Sequence, residues 1–175
     1  MNGKTVYLRP IKKEDLTSIL MATCNEEIRY LTGTTTHFTI DMLEAFYNNT
    51  VQDQTRHDFS ICLKDKDVLI GDLSILEIDE ENKKAGFRIA LHQTEFFNKG
   101  YGTEALSLAL KFAFDKLNLN RLQLEVFSHN LRAIKSYEKA GFKIEGRLRQ
   151  SIFLNNEYSD EIVMGMLREE YETGT

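Results

Sequence analysis

The chain has 175 residues, 42% of them hydrophobic, a formal net charge of −5 and no low-complexity stretch. That length suits one domain burying roughly 70% of its unfolded surface, and the composition excludes a disordered chain. The acidic balance argues against a nucleic-acid partner, which needs a basic face. The longest apolar run, Ile19 to Ala22, is far short of a membrane span. Cys24 and Cys62 stand too isolated for a disulfide framework or a metal cluster. No secretory signal opens the chain. The expectation is a cytoplasmic protein with reduced cysteines, a single domain over 1–175 and an ordered core of about 4–168.

Residues 5–9 alternate and end at Pro10, which predicts a first strand. Helical spacing follows over 14–23 and 40–52, with Asp41 and Glu44 placed to cap the second helix. Segments 57–64 and 68–78 read as an antiparallel pair around the polar turn 64–67. Another strand is predicted at 84–91. A helix over 103–117 has only a narrow polar stripe, Glu104, Ser107, Lys111 and Asp115, so it packs against a sheet. Then come a strand at 121–127, a helix at 131–140 and a closing hairpin of 143–154 with 158–167. Strand 84–91, helix and strand 121–127 make a right-handed parallel crossover. The fold class is therefore α/β (α+β): a mixed, mostly antiparallel sheet with one parallel crossover and helices on both faces.

Two motifs carry the chemistry. Asn98-Lys99-Gly100-Tyr101-Gly102-Thr103 lies between a strand and a helix. Glycines there allow a sharp turn and close backbone approach, and the helix start presents unpaired N–H groups to an anion such as a diphosphate. Downstream, Asn130 is placed to cap a helix in which Tyr137 shares a face with Ile134, and Gly141 ends it before Phe142. A phosphate-binding nucleotide protein fits poorly. No Gly-Lys-Ser/Thr follows the glycines, and the dinucleotide fingerprint's third glycine is missing.

Together these motifs resemble the GNAT superfamily of acetyl-CoA-dependent N-acetyltransferases. The nearest branch is the one holding ribosomal-protein N-terminal and spermidine acetyltransferases. The resemblance runs from Val6-Tyr7-Leu8-Arg9-Pro10 to Leu167. It implies acetyl-CoA as co-substrate, held by Asn98, Lys99, Gly100, Tyr101, Gly102 and Thr103, with no metal. The family's loop carries Gln or Arg where Phe97 stands here. In that family the strand before the loop splays from its parallel neighbour, which implies that Ile89, Ala90 and Leu91 line the pantetheine arm. Asn130 and Tyr137 match positions near the thioester, and Glu125 stands where some N-terminal acetyltransferases carry a proposed general base.

An α-amino group, pKa about 8, is roughly one-tenth neutral at pH 7, while a polyamine nitrogen near 10.4 is neutral about four times in ten thousand. A carboxylate can take the excess proton, and a phenol can serve the departing thiolate. Glu125 as base and Tyr137 as acid are the expected catalytic residues. Their plainer readings are a solvated strand glutamate and a core aromatic. Asp72 and Glu77 are weaker carboxylate candidates, Arg88 is read as a carboxylate's partner, and His92 as a surface histidine with a base role as its alternative. The acceptor, a peptide α-amine ahead of a polyamine or other small amine, is expected in a pocket formed in part by 30–39. A non-catalytic acyl-CoA binding module is the alternative. Homodimers are common among such relatives.

Overall fold

The computed structural model describes residues 1–174. Seven strands form one sheet: β1 Val6–Pro10, β2 His57–Leu63, β3 Leu69–Asp79, β4 Lys84–Leu91, β5 Arg121–Phe127, β6 Lys143–Leu154 and β7 Glu157–Leu167. Their order is β1-β2-β3-β4-β5-β7-β6. Every neighbouring pair is antiparallel except β4 with β5. The helices are α1 Leu16–Thr23, α2 Glu26–Thr32, α3 Ile40–Thr50, α4 Tyr101–Lys111, α5 Leu131–Ala140 and α6 Arg168–Thr173. This is the mixed α/β architecture expected from the strand pattern and the crossover.

Strand alternation gives the sheet two different faces. Val6, Leu8, Ile61, Leu73, Ile75 and Phe87 form the apolar core with Ala105, Leu106, Ala109 and Phe114 of the α4 segment. The opposite face carries a polar row. Arg9 sits opposite Ser60, Ser60 opposite Asp72, and Ser74 opposite both Asp58 and Arg88. Helices α1 to α3 cover that side.

Several elements differ from expectation. Helix α2 falls partly on residues read as loop; Asn25 Oδ1 accepts the Ile28 N–H at 3.0 Å and starts it. Helix α3 is capped by Thr39, whose Oγ1 accepts the Met42 N–H at 3.3 Å, rather than by Asp41. Helix α4 begins two residues earlier than predicted and ends in a π-helical turn, Phe112–Lys116, which places Ala113 and Phe114 in the core. Helix α6 extends order past residue 168, and the N-terminal amine donates to Leu8 O at 2.6 Å.

Asp15 anchors the entry to α1. Arg9 grips its carboxylate at 2.6 and 2.8 Å, and Ser60 Oγ and the Lys12 N–H donate to it. Burial pushes this carboxyl up, but Arg9 and the other donors outweigh burial and hold it below 3.8. A depressed carboxyl stabilises the fold above its unfolded pKa and loses that contribution as pH falls through the folded value. Asp15→Asn should therefore cost roughly 3 kcal/mol at pH 7 in urea unfolding. The gap from wild type should hold steady above about pH 5 and close on further acidification.

Candidate active site

The parallel pair β4–β5 joins at only three positions, Lys84–Arg121, Ala85–Leu122 and Gly86–Gln123. Beyond Gly86 the two strands run on without pairing, so one backbone edge of β4 is free to bind something else. The gap opens toward the C-terminal ends of both strands, where open α/β sheets hold ligands. A cavity of about 520 Å³ occupies it.

Ten of the predicted site residues line this cavity: Ile89, Ala90, Leu91, Asn98, Gly100, Gly102, Thr103, Glu125, Asn130 and Tyr137. Two do not. Lys99 is exposed, and the Tyr101 side chain turns to the core, leaving its backbone at the helix start. Asn98 and Gly100 take left-handed backbone angles, φ 58° and 82°, which reverse the chain into α4. No side chain caps α4, so the N–H groups of its first turn stay open to an anion. A Cβ on Gly102 would meet only Leu91 Cδ1 at 3.7 Å, so the protein itself does not require glycine there.

Sequence reading missed the cavity's basic wall. Arg132, Lys135 and Lys139 of α5 line it. The Arg132 guanidinium lies 3.2 Å from the centre of the Phe97 ring. An arginine from α5 thus stands over the position where the family loop carries its own Gln or Arg. The signal was present as basic residues at spacings of three and four on one helix face.

Tyr137 is 7% exposed and packs edge-on to Phe142, with ring centroids 5.9 Å apart. Its hydroxyl has no hydrogen-bond partner among the described residues. Burial pushes its pKa up to about 12, with Arg132 pulling the other way. The phenol is therefore protonated at neutral pH. Glu125 is exposed at the cavity edge and accepts from Gln123 Nε2 at 3.1 Å. Asn130 is a clamp as well as a cap: Oδ1 accepts the Ala133 N–H at 3.2 Å, while Nδ2 donates to Leu31 O at 3.1 Å. His129, stacked on Tyr30 at 4.2 Å, reinforces that tie between α2 and the turn from β5 into α5.

A second cavity, of about 820 Å³, lies between the polar sheet face and α1 to α3. It shares Ile28, Thr32, Thr34, Arg88 and Ala90 with the first, so the two meet across β4 where the strands part. Phe38, Met42, Phe46 and Val51 give it an apolar side, and Thr32, Thr34 and Phe38 come from the segment expected to shape an acceptor pocket. Two of its carboxylates are already paired: half-buried Asp58 with Arg56 at 2.7 Å, and buried Asp72 with Arg88 at 2.9 Å. His92, read as a surface residue, is 6% exposed and bonded to Asp72 at 2.8 Å. The antiparallel register of β3 with β4 brings His92 beside Asp72 and under the helices, which no local pattern reveals.

A helix start open to an anion, a free strand edge and a protonated phenol at the strand gap fit an acyl-CoA-dependent transferase. The chain belongs to that class through the GNAT family: the acetyltransferase (GNAT) domain profile matches residues 5–143. It is an N-acetyltransferase. It is 30% identical to the spermidine N(1)-acetyltransferase of Escherichia coli (strain K12) over 171 residues, 97% of this chain and 90% of that protein. The fold superposes on spermidine N-acetyltransferase from Vibrio cholerae in complex with CoA and spermine with TM-score 0.90 and 29% identity, covering 97% of this chain and 99% of the other. A dodecameric structure of the Vibrio cholerae enzyme matches with TM-score 0.85 and 28% identity, covering 99% of each chain. Among the described residues no helix is long and apolar enough to cross a membrane.

Gly102→Val separates folding from ligand approach; alanine would not, because the family's loop admits it at this position. A Cβ here meets only Leu91 Cδ1 at 3.7 Å, so the valine variant should keep wild-type stability within about 1 kcal/mol. Its affinity for coenzyme A should fall at least about tenfold, read by calorimetry, since the branched side chain would stand between an anion and the backbone. Unchanged affinity would remove this helix start from the binding site.

Proposed function

We propose that this enzyme transfers the acetyl group of acetyl-CoA to a primary amine of a polyamine of the spermidine class. The observation that carries the reading is near full-length similarity to spermidine N-acetyltransferases, one of them solved with CoA and spermine. A peptide α-amine, placed first on the position of Glu125 and because the weaker base needs less help, becomes the second reading. One observation favours it: the acceptor-side cavity balances its aspartates with arginines and offers no buried unpaired carboxylate pair for a polycation. Self-association of copies of this chain also belongs to the proposal, supported by the dodecameric relative.

The residues present suit acetyl-CoA. The open N–H groups at the start of α4 and the basic wall of α5 would take its phosphates, and the unpaired edge of Ile89 to Leu91 would hold the amide-bearing arm. Bound there, it supplies an acetyl group activated as a thioester. Tyr137 then donates its O–H toward the departing sulfur. Full transfer from a phenol at about 12 to a thiolate whose acid has pKa about 8.5 is uphill by roughly 5 kcal/mol. Tyr137 must therefore gain a proton as it gives one, and the reacting nitrogen is the source of that proton. Glu125 lines the same cavity, which supports it as the carboxylate that carries this proton.

Tyr137→Phe should lower kcat about 10²-fold or more while leaving coenzyme A affinity within about twofold. Equal turnover would strip Tyr137 of the acid role. The acceptor is decided by kcat/KM for spermidine against Ala- or Ser-starting peptides. Spermidine should win by at least about tenfold, and the reverse order would install the second reading.

A further inference from the structure

Proton balance leaves one exchange without a residue. The acceptor enters as an ammonium with three N–H bonds and leaves as a secondary amide with one. Its nitrogen therefore sheds two protons; the thiol keeps one and water receives the other. Tyr137 and Glu125 line the cofactor cavity and serve the proton bound for sulfur. The proton lost before attack leaves on the acceptor side, from an amine that is neutral about four times in ten thousand at pH 7.

His92 sits there. It follows the last residue of β4 and lines the acceptor cavity one residue beyond Leu91 and two beyond Ala90, the position shared by both cavities. Its Nε2 meets Asp72 Oδ1 at 2.8 Å, and Asp72 is itself 6% exposed. Burial pushes the Asp72 carboxyl up, but the Arg88 charge and the His92 bond outweigh it and hold the group ionised. An ionised carboxylate only accepts, so in the neutral ring Nε2 carries the hydrogen and Nδ1 the lone pair. Nδ1 has no hydrogen-bond partner among the described residues, and the residue lines the cavity. Asp72 Oδ2 lacks a well-aligned hydrogen bond although Arg88 lies 2.9 Å away, so Arg88 supplies charge while His92 supplies the directional contact. The cavity's other titratable or charged groups are Arg29 on α2, Tyr47 on α3, and Asp53, Arg56, His57 and Asp58 at or before β2; α1 contributes none.

We propose that His92 takes the first proton from the acceptor ammonium, with Asp72 as the positioning residue that fixes its ring. This deepens the acetyltransferase reading and rests on it. An ammonium N–H bond breaks and an Nδ1–H bond forms; the imidazolium passes that proton to water, and the neutral amine proceeds to the thioester. Division of labour follows the two cavities: His92 acts before attack, Glu125 and Tyr137 during it.

The test uses the amine's own titration. His92→Gln should lower kcat/KM for spermidine about a hundredfold at pH 7. The remaining activity comes from amine already neutral in solution, a fraction that rises about tenfold per pH unit. The deficit relative to wild type should therefore shrink about tenfold per unit between pH 7 and pH 9. Asp72→Asn should show the same shrinking deficit, and both variants should keep wild-type coenzyme A affinity by calorimetry. A deficit that stays constant with pH, or no deficit, would overturn the role of His92 while leaving the acetyltransferase reading intact. Failure of the wild-type protein to acetylate any amine would overturn that reading, and this proposal with it.

Discussion

Everything functional in this fold follows from one interruption: β4 and β5 stop pairing after Gly86. A central parallel pair would ordinarily satisfy both backbones along its length. Here the sheet is held together on either side of the break, by β3 against β4 and β7 against β5, each over most of its length. The cost of an unsatisfied edge is tolerated because the gap opens into a cavity rather than the core. Helix α4, anchored under the sheet by Ala105, Leu106 and Ala109, fixes where its open N-terminus points. The strand gap and the anion cradle are thus two consequences of one arrangement.

The break also divides the site. One side has glycine backbone, a basic helix face and a protonated phenol, which suits a phosphorylated arm ending in a leaving group. Across β4 lies a polar sheet face roofed by short helices. That face carries three arginine–aspartate pairs in succession, Arg9–Asp15, Arg56–Asp58 and Arg88–Asp72. Such pairing keeps polar groups under the helices without leaving bare charge. It also makes the histidine stand out, since among the described residues His92 is the one imidazole there tied to a buried carboxylate.

Local signals carried much of the fold. Alternating strands, the Asn98 to Thr103 loop and the capped, glycine-ended helix around Tyr137 are encoded in contiguous residues, and the structure places them as those patterns imply. What stayed hidden depends on partners distant in sequence. The seven-residue α2 was too short for periodicity, and its only cue was Asn25 ahead of two glutamates. His92 reads as a strand-end surface residue until the β3–β4 register sets it against Asp72. Arg132 has no local feature that marks it out until α5 lays it over Phe97. The acceptor-side cavity has no motif because three separate helices build it.

The account stands on coenzyme A occupying the gap between β4 and β5, with its diphosphate at the start of α4. Amide hydrogen exchange with and without coenzyme A tests this most directly. The backbone amides of 89–91 and 101–103 should gain protection together, since the ligand would bond both sets. Protection confined to other segments, or absent at saturating ligand, would contradict the account at its base.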